Sequence, residues 1–89
     1  MLLALDVGNT NITVGVFSGR RLVAQWRHDT RLATGSGPLG RALAAQARRR
    51  NVVVDSCIFG SVVPKADPII ERAIRSRFGV STAAITPRS

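Results

Sequence analysis

The sequence predicts an α/β domain with a mixed sheet in the order βββαβαβ. Apolar runs in the first third are short and β-branched, later apolar residues recur at spacings of three and four, and turn residues separate the runs. Eighty-nine residues bound a single small domain with a modest core, since a chain of this length buries only about 60 to 65% of its unfolded surface. An apolar fraction of 45% is that of an ordinary globular chain rather than a disordered one.

Leu2 to Val7 is a nearly continuous apolar run, which reads as a strand covered on both faces. Ile12 to Phe17 is rich in β-branched residues, and Ser18-Gly19 turns the chain into Leu22 to Arg27, where Leu22, Ala24 and Trp26 alternate with Val23, Gln25 and Arg27. These three strands form a meander. The stretch "DTRLATGSGPLG", residues 29 to 40, is loop-like until its end. From Leu39 to Arg50 the Ala, Leu, Gln and Arg content favours a helix, with Leu39 and Leu43 one turn apart on its buried face and Asn51 stopping it. Val52 to Val54 and Ile58 to Val63 make a second apolar β segment, interrupted by Asp55 and Ser56. After Pro64 a helix presents Ile70, Ala73, Ile74 and Phe78 on one face, with Asp67 and Pro68 in its first turn and Gly79 at its C-terminal cap. Val80 to Ile85 has the composition of a final strand. The βαβ crossover is expected to be right-handed.

The net charge of +8 raises nucleic acid, anionic membrane or a phosphorylated ligand as partners. Twelve of the thirteen basic residues are Arg, and their only dense run, Arg48-Arg49-Arg50, ends the first helix, where cations suit the dipole. Phe17, Trp26, Phe59 and Phe78 sit in apolar contexts and there is no Tyr, so nothing forms a platform for stacking bases. Nucleic acid is therefore disfavoured. No apolar run approaches the roughly 18 residues of a membrane span, and Asp6 interrupts "MLLAL" before it could serve as a signal core, so the expected location is cytoplasmic. The single Cys57 excludes an internal disulfide and any multi-cysteine metal site, and its apolar strand context makes it an inert core residue.

"DVGNTNIT", residues 6 to 13, puts a carboxylate before a small polar loop. Gly8 lets the backbone turn tightly or approach a ligand, its neighbours' N–H groups can converge on an anion, and Asn9, Thr10 and Asn11 add side-chain donors. Asp6 opposes a phosphate, because two like charges about 4 Å apart repel by about 4 kcal/mol at an effective dielectric near 20. A bridging cation removes the conflict, and Mg²⁺ is commonly held by one or two carboxylates, waters and substrate phosphates. The alternative is a plain hairpin in which Asp6 bonds its own turn. The residues alone leave both readings open. Asp29, Asp55 and Asp67 border elements and read as turn or cap residues, His28 as a solvated loop position, and Ser61 as either a cleft residue or a strand-end hydrogen bond.

"LDVGNTNITVGVF" resembles the first phosphate-binding motif of type III pantothenate kinases, members of the superfamily of acetate and sugar kinases, heat-shock chaperones and actin. Trp26-Arg27, "FGSVVP" at 59 to 64 and "RFGV" at 77 to 80 agree in place and order, and Bvg accessory factors share these signatures. The resemblance implies a ribonuclease H-like (actin-like ATPase) lobe and ATP-dependent phosphorylation of pantothenate to 4′-phosphopantothenate, the first step of coenzyme A synthesis. It also implies Mg²⁺, a monovalent cation (K⁺ or ammonium) and a homodimer. Carried over, Asp6 positions the metal and phosphates, and Gly8, Asn9, Thr10 and Asn11, with Val7, Ile12 and Thr13, form the phosphate loop.

The family's Gly-Ala-Asp-Arg segment, whose Asp is taken as the base, and its second phosphate motif of Asp-x-Gly-Thr type do not occur in these 89 residues, and "TGSGPLG" replaces acidic residues before the first helix. The expectation is therefore one N-terminal nucleotide-binding lobe over residues 1–89, with no catalytic residue of its own and no turnover alone. The alternatives are a non-catalytic regulator of the Bvg accessory type and, behind it, a basic nucleic-acid-binding module.

Overall fold

The computed structural model describes residues 1–35 and 37–85. Five strands form one sheet in the order β3-β2-β1-β4-β5, with β1 at Leu2–Val7, β2 at Asn11–Ser18, β3 at Arg21–Asp29, β4 at Ser56–Ser61 and β5 at Thr82–Ile85. β2 is antiparallel to both β1 and β3, while β4 is parallel to both β1 and β5. Two helices, α1 at Pro38–Arg49 and α2 at Asp67–Phe78, complete the expected order, with 3₁₀ turns at Thr30–Leu32 and Pro64–Ala66.

Both helices lie on one face of the sheet. The two crossovers, β3 to β4 through α1 and β4 to β5 through α2, advance across the sheet in the same direction, and right-handed connections then place both helices on the same side. Leu3, Leu5, Val7, Ile12, Val14, Val16, Cys57 and Phe59 point to that side and pack against Leu39, Leu43, Ile70 and Ile74. Within these residues β1 is covered on one face only, where the expectation was both: Leu2 and Ala4 are half-buried and Asp6 is exposed on the opposite, open face. Its apolar alternation was masked because both faces carry aliphatic residues.

Pro38 occupies the first turn of α1, and Asn51 stops it in the left-handed conformation at φ 56°. Gly79 caps α2 at φ 69°, where its N–H donates to the carbonyl of Arg75. The β segment expected at Val52–Val54 is absent as a strand. The Val52 N–H is taken by the Ala47 carbonyl at 2.8 Å, closing the end of α1, and the ladder with β1 begins at Ser56 instead. At its other end β4 stops at Ser61, not Val63, because Pro64 begins a 3₁₀ turn and the Val63 N–H turns back to Ser61 Oγ. The final strand starts at Thr82 rather than Val80.

Candidate functional site

β1 and β2 are joined by the turn Gly8–Thr10, at the carboxyl ends of the parallel strands β1 and β4. Ligands of open α/β sheets bind at such an end. The Gly8 N–H donates to the Asn11 carbonyl at 2.9 Å and closes the turn. A Cβ at Gly8 would stand 3.2 Å from that oxygen, so any side chain there would push the carbonyl back by a few tenths of an ångström. Asn9, Thr10 and Asn11 are exposed, and Asn11 Nδ2 donates to Thr10 Oγ1 at 3.3 Å. The backbone N–H groups of Asn9 and Thr10 donate to none of the described residues.

Asp6 precedes the turn on the open face, opposite Thr13 of β2 and Gly60 of β4, and Arg27 of β3 is opposite Thr13. Asp6, Thr13 and Arg27 thus lie in one row across three neighbouring strands, a carboxylate and a guanidinium separated by a hydroxyl. A groove of about 240 Å³ runs along this face, with Asp6 and Thr13 at its polar end and Gly15, Phe17, Leu22 and Ile58 further in. Of the eight expected loop residues, Val7 and Ile12 turn their side chains into the core beneath the helices with no exposed surface and anchor the turn from below. Gly15 leaves room that Phe17 and Leu22 fill, since a Cβ there would meet their side chains at 3.3 and 3.4 Å.

Two residues of the neighbourhood carried no signal in the sequence. Thr30, the residue after β3, donates from Oγ1 to the Gly8 carbonyl at 2.8 Å and from its N–H to the Thr10 carbonyl at 3.0 Å. Arg27 stands in the sequence only as part of a strand-end signature, and the strand pairing is what aligns it with Asp6. Asp29 behaves as expected of a cap: Oδ1 accepts from the Arg31 N–H at 2.8 Å, and the Arg31 guanidinium grips the carboxylate, holding its pKa below the ordinary value.

Elsewhere the candidate residues are structural. Asp55 pairs with the Met1 ammonium at 3.0 Å, and Asp67 begins α2. Ser61 Oγ exchanges hydrogen bonds with the Val63 backbone on the helix side of the sheet, so the strand-end reading holds over the cleft reading. His28 is not a solvated loop residue. It lies in β3, half-buried, where Nε2 accepts from Trp26 Nε1 at 2.8 Å and burial lowers its pKa. Trp26 in turn carries the Arg50 guanidinium over its ring at 4.9 Å. Cys57 is buried and its thiol is pushed up to about 12 by desolvation, which makes it inert. Among the described residues no group of three or more His, Cys, Asp or Glu could hold a metal, and no helix is long and apolar enough to cross a membrane.

The family model for type III pantothenate kinase matches residues 2–89. The chain belongs to the type III pantothenate kinase family. Curated type III pantothenate kinases of Myxococcus xanthus and Solibacter usitatus are 39% and 40% identical to it, covering 98% and 100% of this chain. The chain spans 35% of the length of each of these relatives. Solved structures agree on the fold. The ROK hexokinase of Thermus thermophilus superposes with a TM-score of 0.68 at 24% identity, over 96% of this chain and 34% of that one. RuvC of Thermus thermophilus superposes at 0.62 and 17% identity, over 97% of this chain and 61% of that one. The chain therefore has the expected fold, a mixed α/β sheet of the ribonuclease H-like kind.

Proposed function

We propose that this chain is the N-terminal nucleotide-binding lobe of an ATP-dependent pantothenate kinase, which transfers a phosphoryl group to the pantothenate hydroxyl to form 4′-phosphopantothenate for coenzyme A synthesis. The observation that carries the reading is the rim at Asp6 to Asn11. A carboxylate and backbone donors that bond no described residue meet at the end of the parallel strands, an arrangement that suits an anion accompanied by a cation.

Asp6 fits Mg²⁺ as a single exposed carboxylate, the donor set expected where waters and phosphate oxygens complete the coordination. When bound, the ion offsets phosphate charge that Asp6 would otherwise repel. The Asn9 and Thr10 N–H groups hold phosphate oxygens, and the Thr10 and Asn11 side chains add donors. The monovalent cation, K⁺ or ammonium, follows the family without an assigned residue. The acid or base that activates pantothenate lies outside this chain, in a second lobe that closes the cleft, and the working enzyme is a cytoplasmic homodimer.

Calorimetric titration of MgATP into the chain tests the binding role. Asp6→Asn is expected to weaken affinity by roughly tenfold or more, on the scale of a lost charge-assisted interaction, without a change in folding. Equal affinity of the variant would sink the assignment. Phosphorylation of pantothenate by the 89-residue chain alone is expected to be absent, and turnover that Asp6→Asn abolishes would show that the lobe is self-sufficient.

A further inference from the structure

We propose that Thr30 is a positioning residue that aims the Asn9 backbone N–H, one of the donors of the phosphate turn, at the ligand, an inference that rests on the nucleotide-binding reading of the same site. The turn is closed by only one backbone hydrogen bond, Gly8 N–H to the Asn11 carbonyl. Its tip residues Asn9 and Thr10 lie outside the left-handed region, so it is neither of the two turn types whose twist matches that of a two-residue hairpin. A turn of this kind matches the strand twist less well, so a contact from outside can decide its conformation.

Thr30 supplies that support through two carbonyls. Its hydroxyl donates to the Gly8 carbonyl and its N–H to the Thr10 carbonyl, at 2.8 and 3.0 Å. A trans peptide group is planar, with its C=O and the following N–H on opposite sides. Holding the Gly8 carbonyl toward Thr30 therefore turns the Asn9 N–H away from it. Holding the Thr10 carbonyl does the same to the Asn11 N–H. One residue thus orients two donors it never touches, and the unpaired Asn9 N–H is one of them.

Thr30 is itself held in place. The register between β2 and β3 ends at Asn11 opposite Asp29, which delivers Thr30 to the side of the turn. Asp29 then caps the 3₁₀ turn by accepting from the Arg31 N–H and from the Arg31 guanidinium, bonds that bracket Thr30 on both sides. Only the hydroxyl is specific to the threonine, because any residue but proline supplies the N–H bond.

The test compares Thr30→Val, which keeps the shape and removes the hydroxyl, with Thr30→Ser, which keeps the hydroxyl. Amide hydrogen exchange is followed at Gly8 and at the central-strand residue Leu5, and MgATP affinity is measured by calorimetry on the 89-residue chain. In Thr30→Val the Gly8 amide is expected to exchange roughly five- to tenfold faster with Leu5 unchanged, and MgATP to bind more weakly by a similar factor. Thr30→Ser is expected to stay within about twofold of the parent in both readouts. Unchanged Gly8 exchange in Thr30→Val, a matching loss of protection at Leu5, or faster Gly8 exchange with undiminished affinity would each overturn the proposal. If the parent chain itself fails to bind MgATP while Gly8 responds to Thr30→Val, the hydrogen-bond support of the turn stands and the nucleotide reading is what falls.

Discussion

Gly8→Ala separates folding from binding at the turn. The added Cβ would stand 3.2 Å from the Asn11 carbonyl oxygen, so that carbonyl must give way by a few tenths of an ångström. The same oxygen accepts the Gly8 N–H at 2.9 Å, and the retreat weakens this bond by some part of its net worth of about 0.5 to 1.5 kcal/mol. Gly8 is not among the positive-φ glycines, so alanine meets no left-handed-region cost there. Alanine also restricts the unfolded chain, which returns about 0.4 to 1 kcal/mol. The two effects nearly cancel, and the urea midpoint is expected to move by no more than about 1 M. Binding has no such offset, because the turn that carries the Asn9 and Thr10 donors is displaced. MgATP affinity, measured by calorimetry, is expected to fall roughly three- to tenfold. A variant that unfolds at much lower urea, or that binds MgATP as tightly as the parent, would refute this reasoning.

Phe59, 1% exposed beneath the helices, is the largest fully buried side chain, and Phe59→Ala should cost about 3 to 5 kcal/mol against a total stability of roughly 4 to 13 kcal/mol for 89 residues. Denaturation followed by circular dichroism should show the cooperative transition shifted far toward zero urea or lost, and a small shift would mean the core is not where the structure puts it. His28 has its pKa lowered by burial below the ordinary imidazole value of 6.5, so the folded state binds fewer protons than the unfolded one as pH falls through that region. The stability it contributes is complete above pH 6.5 and declines on acidification below it. The fluorescence of Trp26, the only Trp, should track the lost hydrogen bond, and His28→Gln should flatten both profiles. Cys57 should resist alkylation at pH 8 in the folded chain and react once urea unfolds it, and rapid labelling of the native chain would contradict its burial.

The element order was legible because each strand and helix carries its own local pattern. Leu39 and Leu43, or Ile70, Ala73, Ile74 and Phe78, announce a helix by spacing alone, and Asn51 and Gly79 end helices through backbone conformations that few residues accept. Strand ends were less legible. Val52 to Val54 has strand composition, yet the Val52 N–H is spent on closing α1, which depends on how the helix arrives and not on the valines.

Asp6 to Asn11 could be read as a phosphate turn because acid, glycine and donors are contiguous in the chain. Thr30 and Arg27 could not, because their relation to that turn is set by the β2–β3 register, and nothing local in "WRHDT" states which residue will stand beside Gly8. Sequence by itself determined the order of the elements and the place of the turn, since these follow from side-chain spacing and backbone freedom over a few residues. Only the tertiary structure decided that one sheet face stays open, that Asp6, Thr13 and Arg27 share a row on it, and that a threonine 22 residues away holds the turn, since strand pairing and crossover direction act between segments distant in the chain.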